Sequence, residues 1–289
     1  MILKGGGAVL DRIYLEITNI CNMNCSFCHK TKREKQLLSQ ENFDILLEKI
    51  EGKAKCLYFH LMGEPTMHPY LAKYIKSARE KGFLTAVTTN GVLLKGSRES
   101  ILEAGLNKLS ISLHAPEANP VFSSPNYLEN CVSFAKKAAG SGCFVALRLW
   151  NLGTEADNSH ILEFLHKAFP GEWYDQRGGS SQRIADRIFL EWGERFEWPD
   201  PNLPECDPDS DRFCHGLRDQ IGILVDGTVV PCCLDSDGNI PLGNLFDSTL
   251  EEILNSPRAR AIYDGFSRRR AVEPICRKCG YAKRFSKDK

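Results

Sequence analysis

The sequence predicts an α/β protein built on a parallel sheet, followed by a smaller C-terminal unit. Three observations carry this. Short β-rich runs alternate with amphipathic helical patterns over the first two-thirds of the chain, that rhythm breaks at prolines after Trp198, and a tight Asp-Gly hairpin follows. The predicted strands are 12–17, 56–61, 83–88, 108–113, 143–149 and 187–191. Between the first two, Ser39 can cap a helix whose Phe43, Leu46, Leu47 and Ile50 form one apolar stripe. Further helices are predicted at 69–81, 97–104, 126–139 and 158–168. Repeated βα units imply right-handed crossovers, in an open doubly wound sheet or a barrel. In either, active groups gather at the C-terminal ends of the strands.

Beyond Trp198, Pro199, Pro201, Pro204 and Pro208 mark a linker. Residues 223–225 and 228–230 then form a hairpin on Asp226-Gly227. Ser248, with Glu251 three residues on, reads as a capping box opening a helix. The expected division is a leader at 1–10, a core domain at 11–198, and linker plus C-terminal domain at 199–289. Only about ten residues precede the first strand, so no separate peptide-binding domain is expected ahead of it.

Lys plus Arg and Asp plus Glu number 37 each in 289 residues, so the formal charge is zero. No chain-wide basic field exists to grip a nucleic-acid polymer, and no such partner is expected. No apolar stretch approaches the roughly 18 residues of a membrane span, and no signal peptide opens the chain. A cytoplasmic location and no membrane partner are therefore expected.

The twelve cysteines could form a disulfide framework by count. Their clustering and the absence of a signal peptide favour metal instead. Cys56, Cys131 and Cys143 lie in apolar contexts and read as buried thiols. Cys21-x-x-x-Cys25-x-x-Cys28 follows the first strand directly. Three thiolates on one loop can ligate three irons of a cubane and leave the fourth open to a ligand. The alternatives are a zinc site completed by His29, or a fully ligated electron-transfer cluster. Cys214, Cys232, Cys276 and Cys279 form a second set, which spacing alone assigns to zinc slightly ahead of a 4Fe–4S cluster. Lys30, Lys32, Arg33 and Lys35 offer a solvated basic face or a dock for an acidic electron donor. Arg268-Arg269-Arg270 reads as an exposed run able to hold a phosphate. His60 and Glu191, at strand ends, are the candidate catalytic residues, placed to orient substrate or move a proton.

The first cysteine loop, with Phe27 as its aromatic, resembles the signature of the radical S-adenosylmethionine (SAM) superfamily. Met62-Gly63-Glu64-Pro65 is similar to that family's Gly-Gly-Glu-Pro turn, with Met at the first glycine position. Thr88-Thr89-Asn90-Gly91 and Ser110-Ile-Ser112-Leu-His114 end the next two strands as its SAM-contacting segments do. Glu16, Thr18 and Asn22 also match its usual phrasing. The resemblance implies a 4Fe–4S cluster on Cys21, Cys25 and Cys28 that binds and reductively cleaves SAM to a 5′-deoxyadenosyl radical. It implies SAM contacts from Phe27, Gly63, Glu64, Thr89, Asn90, Ser112 and His114, with Arg148 a candidate for the SAM carboxylate. Cys214-x12-Gly227-x4-Cys232, with Pro241–Leu245, resembles the SPASM/twitch extension. That implies a twitch-type domain with one auxiliary 4Fe–4S cluster on Cys214, Cys232, Cys276 and Cys279, with Cys233 and Cys206 as substitutes. The implied fold is a partial (βα)6 TIM-like barrel with a small C-terminal α+β Fe–S domain. The expected reaction is hydrogen abstraction from a small molecule, most specifically a modified nucleoside or nucleotide in a queuosine-type lyase releasing queuine. A peptide or protein maturase, a sugar dehydrogenase and a non-enzymatic metal protein are the alternatives. A flavodoxin- or ferredoxin-type electron donor is the expected partner.

Overall fold

A computed structural model describes residues 9–119, 124–204 and 211–285. Its eleven strands are β1 (Leu10–Leu15), β2 (Ala54–Tyr58), β3 (Leu84–Thr89), β4 (Lys108–Ser112), β5 (Phe144–Leu152), β6 (Tyr174–Gln176), β7 (Ser181–Ala185), β8 (Ile188–Glu194), β9 (Gln220–Ile223), β10 (Thr228–Val230) and β11 (Gly243–Asn244). The helices are α1 (Gln40–Ile50), α2 (Leu71–Glu80), α3 (Ser100–Glu103), α4 (Tyr127–Gly140), α5 (Ser159–Ala168), α6 (Leu250–Leu254), α7 (Pro257–Ser267) and α8 (Pro274–Arg277).

All strands join one sheet in the order β11-β10-β9-β1-β2-β3-β4-β5-β8-β7-β6. From β1 to β8 the neighbours pair in parallel, as the βα rhythm predicts. Side chains alternate between the two faces. Ile13, Leu15, Leu57, Val87, Leu109, Ile111 and Leu147 are almost wholly buried and belong to the main apolar core. That core includes the apolar stripe of α1, whose N-cap Ser39 accepts from the Asn42 N–H. The intervening positions, among them Tyr14, Tyr58, His60, Ser110, Ser112, Arg148 and Glu191, line a cavity inside the curve of the six parallel strands. The sheet is therefore a partial barrel with a polar, aromatic interior.

Four features depart from the sequence reading. The strand expected at 187–191 runs Ile188–Glu194, and an antiparallel pair, β6 and β7, lies beyond it. The C-terminal hairpin does not stand apart: β9 pairs in parallel with β1, so the sheet is continuous across residue 198. The capping box sits one residue later than expected, on Thr249 and Glu252. The helix expected at 97–104 opens as a 3₁₀ turn, Gly96–Glu99, and only Ser100–Glu103 is α-helical. Most of the expected leader, Cys206 and Pro208 lie outside the described residues. Among the described residues no helix is long and apolar enough to cross a membrane.

Candidate active site

The first thiol loop leaves β1 and is fixed by its own polar side chains. Thr18 Oγ1 donates to the Gln36 carbonyl at 3.0 Å, and Asn19 Nδ2 to that of Glu34 at 2.7 Å. Asn119, which follows β4, accepts from the Asn24 N–H at 2.8 Å and donates through Nδ2 to Cys25 Sγ at 3.0 Å. The Met23 N–H points to Cys21 Sγ at 3.4 Å. Asn90 Nδ2 bonds Asn22 Oδ1 at 2.8 Å, tying the end of β3 to the same loop. N–H donors aimed at sulfur favour thiolate and tune a bound metal. Burial raises all three thiols, Cys21 to about 11, with Glu64, Cys25 and Cys28 adding to the rise at Cys21. Three thiols that oppose one another's ionisation suit a cationic centre, which would reverse that opposition.

The turn after β2 brings the next group in. Gly63 has φ +75°, and a Cβ there would stand 2.5 Å from the Thr18 carbonyl and 2.8 Å from that of Ile20, so glycine is required. Met62 is buried in an apolar cluster with Leu61, Leu224 and Val230, and does not narrow the cavity. Glu64 is buried and accepts through Oε1 from the Thr66 N–H, Thr66 Oγ1 and Thr89 Oγ1, at 3.0, 2.6 and 2.7 Å. Oε2 accepts from the Asn90 N–H at 2.7 Å, which leaves that oxygen a lone pair for an outside donor. Burial raises the Glu64 carboxyl and these bonds oppose the rise. Thr89, whose hydroxyl also accepts from the Gly91 N–H at 3.1 Å, serves this turn, and Thr88 lines the cavity in its place.

The cavity holds about 700 Å³, within the range of ligand pockets. Phe27, Ser112, His114 and Arg148 line it, as do Cys214, Cys232, Cys276 and Cys279 of the second thiol set. Tyr14, Tyr58 and His60 form a triangle in its wall, with ring centroids 4.9, 5.5 and 5.5 Å apart. His60 Nδ1 and Arg148 Nε are shut off from water with no hydrogen-bond partner. Burial, then the charges of Arg148 and Lys108, hold the His60 imidazole down at about 3, so it is neutral. His114 is held down to about 4, chiefly by burial, and its Nδ1 lies 3.0 Å from the Arg148 carbonyl. The Arg148 guanidinium lies 3.5 Å from the centroid of Trp150, and its strand neighbours are Ser112 and Glu191. The orphaned Nε fits the expectation that an anionic ligand group belongs there.

The second thiol set gathers around Cys232, which burial raises strongly, followed by its neighbours Cys214, Cys233, Cys276 and Cys279. The Gly216 N–H points to Cys214 Sγ at 3.4 Å, and Arg212 Nη1 donates to the Cys279 carbonyl at 3.1 Å. Cys233 is hydrogen-bonded to Tyr14 and faces the cavity. Among the described residues no three His, Cys, Asp or Glu side chains close on one ion.

A sequence profile of the radical SAM superfamily matches residues 15–165, and one of an iron–sulfur cluster-binding domain, SPASM, matches residues 214–280. The chain belongs to the radical SAM superfamily. Its radical SAM domain implies a 4Fe–4S cluster and SAM, and its SPASM domain implies auxiliary iron–sulfur chemistry. A probable GTP 3′,8-cyclase of Saccharolobus islandicus is 32% identical over 122 residues, 38% of this chain and 36% of that protein. A tungsten-containing aldehyde ferredoxin oxidoreductase cofactor-modifying protein of Pyrococcus furiosus is 30% identical over 107 residues, 35% of this chain and 30% of that protein. The chain thus spans about a third of the length of these curated relatives. BtrN in complex with AdoMet and 2-DOIA shares the fold with a TM-score of 0.61 at 14% identity, covering 94% of both chains. SuiB of Streptococcus suis bound to S-adenosylmethionine does so with a TM-score of 0.61 at 17% identity, over 95% of this chain and 72% of that one.

The candidate site contains residues that the motifs did not mark. Asn119, Tyr14 and Tyr58 carried no sequence signal beyond their types. Tyr127, whose hydroxyl donates to the Asn90 carbonyl at 2.7 Å, lies on α4 far along the chain. His29 turns toward Asp237, at 3.6 Å, and stacks on Trp198 instead of completing a zinc site. The expected basic face is thinner than its four residues suggested. Arg33 points inward onto Glu16, whereas Lys30, Lys32 and Lys35 remain exposed, Lys35 also donating to the Asn19 carbonyl. In the arginine run, Arg269 is bound to Asp211 and the Phe285 carbonyl.

Proposed function

We propose that this radical SAM enzyme abstracts hydrogen from a small molecule carrying a planar ring, a modified nucleoside or nucleotide, in a queuosine-type lyase reaction releasing queuine. The observation behind this is the cavity: about 700 Å³, lined by Phe27 of the first thiol loop and by the second thiol set, with a Tyr14–Tyr58–His60 wall and Glu191 facing in. Aromatic rings suit a heterocyclic base, and a carboxylate accepts two neighbouring N–H donors of such a ring in fork geometry. The relatives that bear the name GTP 3′,8-cyclase support a nucleotide substrate.

Cys21, Cys25 and Cys28 would hold the SAM-binding cluster, and Cys214, Cys232, Cys276 and Cys279 one auxiliary cluster. When bound, the first cluster supplies the electron that cleaves SAM to methionine and a 5′-deoxyadenosyl radical. The lone pair left on Glu64 Oε2 accepts from the SAM ammonium group, and Arg148 meets its carboxylate. Phe27, Gly63, Asn90, Ser112 and His114 shape the rest of the SAM pocket, while Thr89 fixes Glu64. His60, neutral and unpartnered, orients the substrate by a hydrogen bond. Glu191 holds its ring edge or accepts a proton. Lys30 and Lys32 lie past the first thiols and support docking of an acidic flavodoxin- or ferredoxin-type donor.

The test is a panel of deuterated nucleotides, nucleosides, cyclic sugars and peptides, each turned over anaerobically with SAM and reductant. Deuterium is expected in 5′-deoxyadenosine from a ribose-labelled modified nucleotide. Label arriving only from a peptide or only from a free sugar would replace this substrate class.

A further inference from the structure

Glu16, directly after β1, is 0% exposed, yet it is an acid in a barrel wall. Four hydrogen bonds satisfy it, and they come from three separate parts of the chain. Arg33 Nη2 donates to both carboxylate oxygens at 2.7 Å, the Met62 N–H to Oε1 at 3.3 Å, and the Val225 N–H to Oε2 at 3.1 Å. Arg33 lies just past the first thiol loop, Met62 opens the turn that carries Glu64, and Val225 begins the hairpin turn ahead of Cys232. Arg33 Nε reaches on to the Ser236 carbonyl at 2.9 Å, just after the Cys232–Cys233 pair. Beside it Asp237 accepts from Thr31 Oγ1 at 2.7 Å and from the Lys32 N–H at 2.9 Å.

A buried ion pair is a poor device for stability. Desolvating both charges offsets most of their attraction, and apolar side chains of equal volume are often neutral or better. Such a pair does enforce geometry, because the carboxylate is satisfied only when every donor is in place. We propose that Glu16 is a positioning residue: with Arg33 it fixes the SAM-binding turn and the first thiol loop in register with the auxiliary thiol site. β1 pairs on one side with β2, which leads to Met62, and on the other with β9, which leads to Val225, and it runs directly into Glu16.

The test separates register from stability. Glu16→Met combined with Arg33→Met replaces the pair with apolar volume and is expected to melt within a few degrees of the parent. Its SAM affinity, read by equilibrium binding to the reconstituted protein, is expected to fall at least tenfold. The electron paramagnetic resonance signals of both reduced clusters are expected to change, although neither side chain touches a thiol. Amide exchange at Met62–Glu64 and at Val225 is expected to quicken even before any cluster is loaded. Parental SAM affinity, spectra and exchange in the double variant would overturn the proposal. Should that variant not fold, Arg33→Lys keeps the charge but cannot span Glu16 and Ser236 together. It is expected to show the same changes at smaller size, and parental behaviour in it likewise contradicts the proposal. The outcome does not depend on which substrate the enzyme takes.

Discussion

At the scale of single residues, the site is built from side chains that serve one another before they serve a ligand. Glu64 illustrates this. The motif predicts a SAM contact, and the structure adds four protein donors that lock the carboxylate against the ends of β2 and β3. A motif marks the residue type at a turn, but not how many of its lone pairs the protein takes. His60 was legible as a strand-end polar residue, whereas its neutrality follows from burial in the barrel and from Arg148 and Lys108 nearby. That neutrality has a consequence for stability. Above the ordinary value of 6.5 the imidazole is neutral folded or unfolded; between there and about 3 only the unfolded chain takes the proton. Stability should therefore fall as pH drops through that window. Denaturant melts at pH 7 and pH 5 should show a smaller loss for His60→Phe than for the parent, and equal losses would contradict the buried, neutral assignment.

At the scale of elements, long amphipathic helices and apolar strands were the most legible parts, because burial imposes their periodicity directly. Ser39 and the α1 stripe fall where the spacing places them. The pair β6 and β7 was not legible: β6 is three residues long and exposed throughout, so no alternation marks it. The second capping box was displaced by one residue because Ser248 and Thr249, each three residues ahead of a glutamate, present the same pattern. Only the backbone decides between them, and Thr249 Oγ1 accepts from the Glu252 N–H at 3.2 Å while Glu252 returns the bond. Thr249→Ala should cost about 1 kcal/mol in a chemical melt. Ser248→Ala should stay within about 0.5 kcal/mol, as for a surface change that breaks no cap. The reverse order would return the cap to Ser248.

At the scale of the whole molecule, the two cysteine sets were visible as separate motifs, but not the cavity that Phe27 of the first loop and the thiols of the second set line. The joint between them is non-local. β9 lies beside β1 despite some two hundred intervening residues, and the pairing carries Cys214 and Cys232 to the barrel wall. No periodicity encodes such a pairing. It follows from covering the edge of β1, which would otherwise expose unpaired backbone groups. The same closure makes Glu16 a buried residue and brings Tyr14 against Cys233. If Cys21, Cys25 and Cys28 hold the SAM-cleaving cluster, SAM cleavage depends on each of them. The direct measurement is 5′-deoxyadenosine released by anaerobically reconstituted protein given SAM and dithionite. The parent should form it, and Cys25→Ala, folded and with its auxiliary thiols intact, should not. Continued formation of 5′-deoxyadenosine by Cys25→Ala at the parental rate would contradict the account.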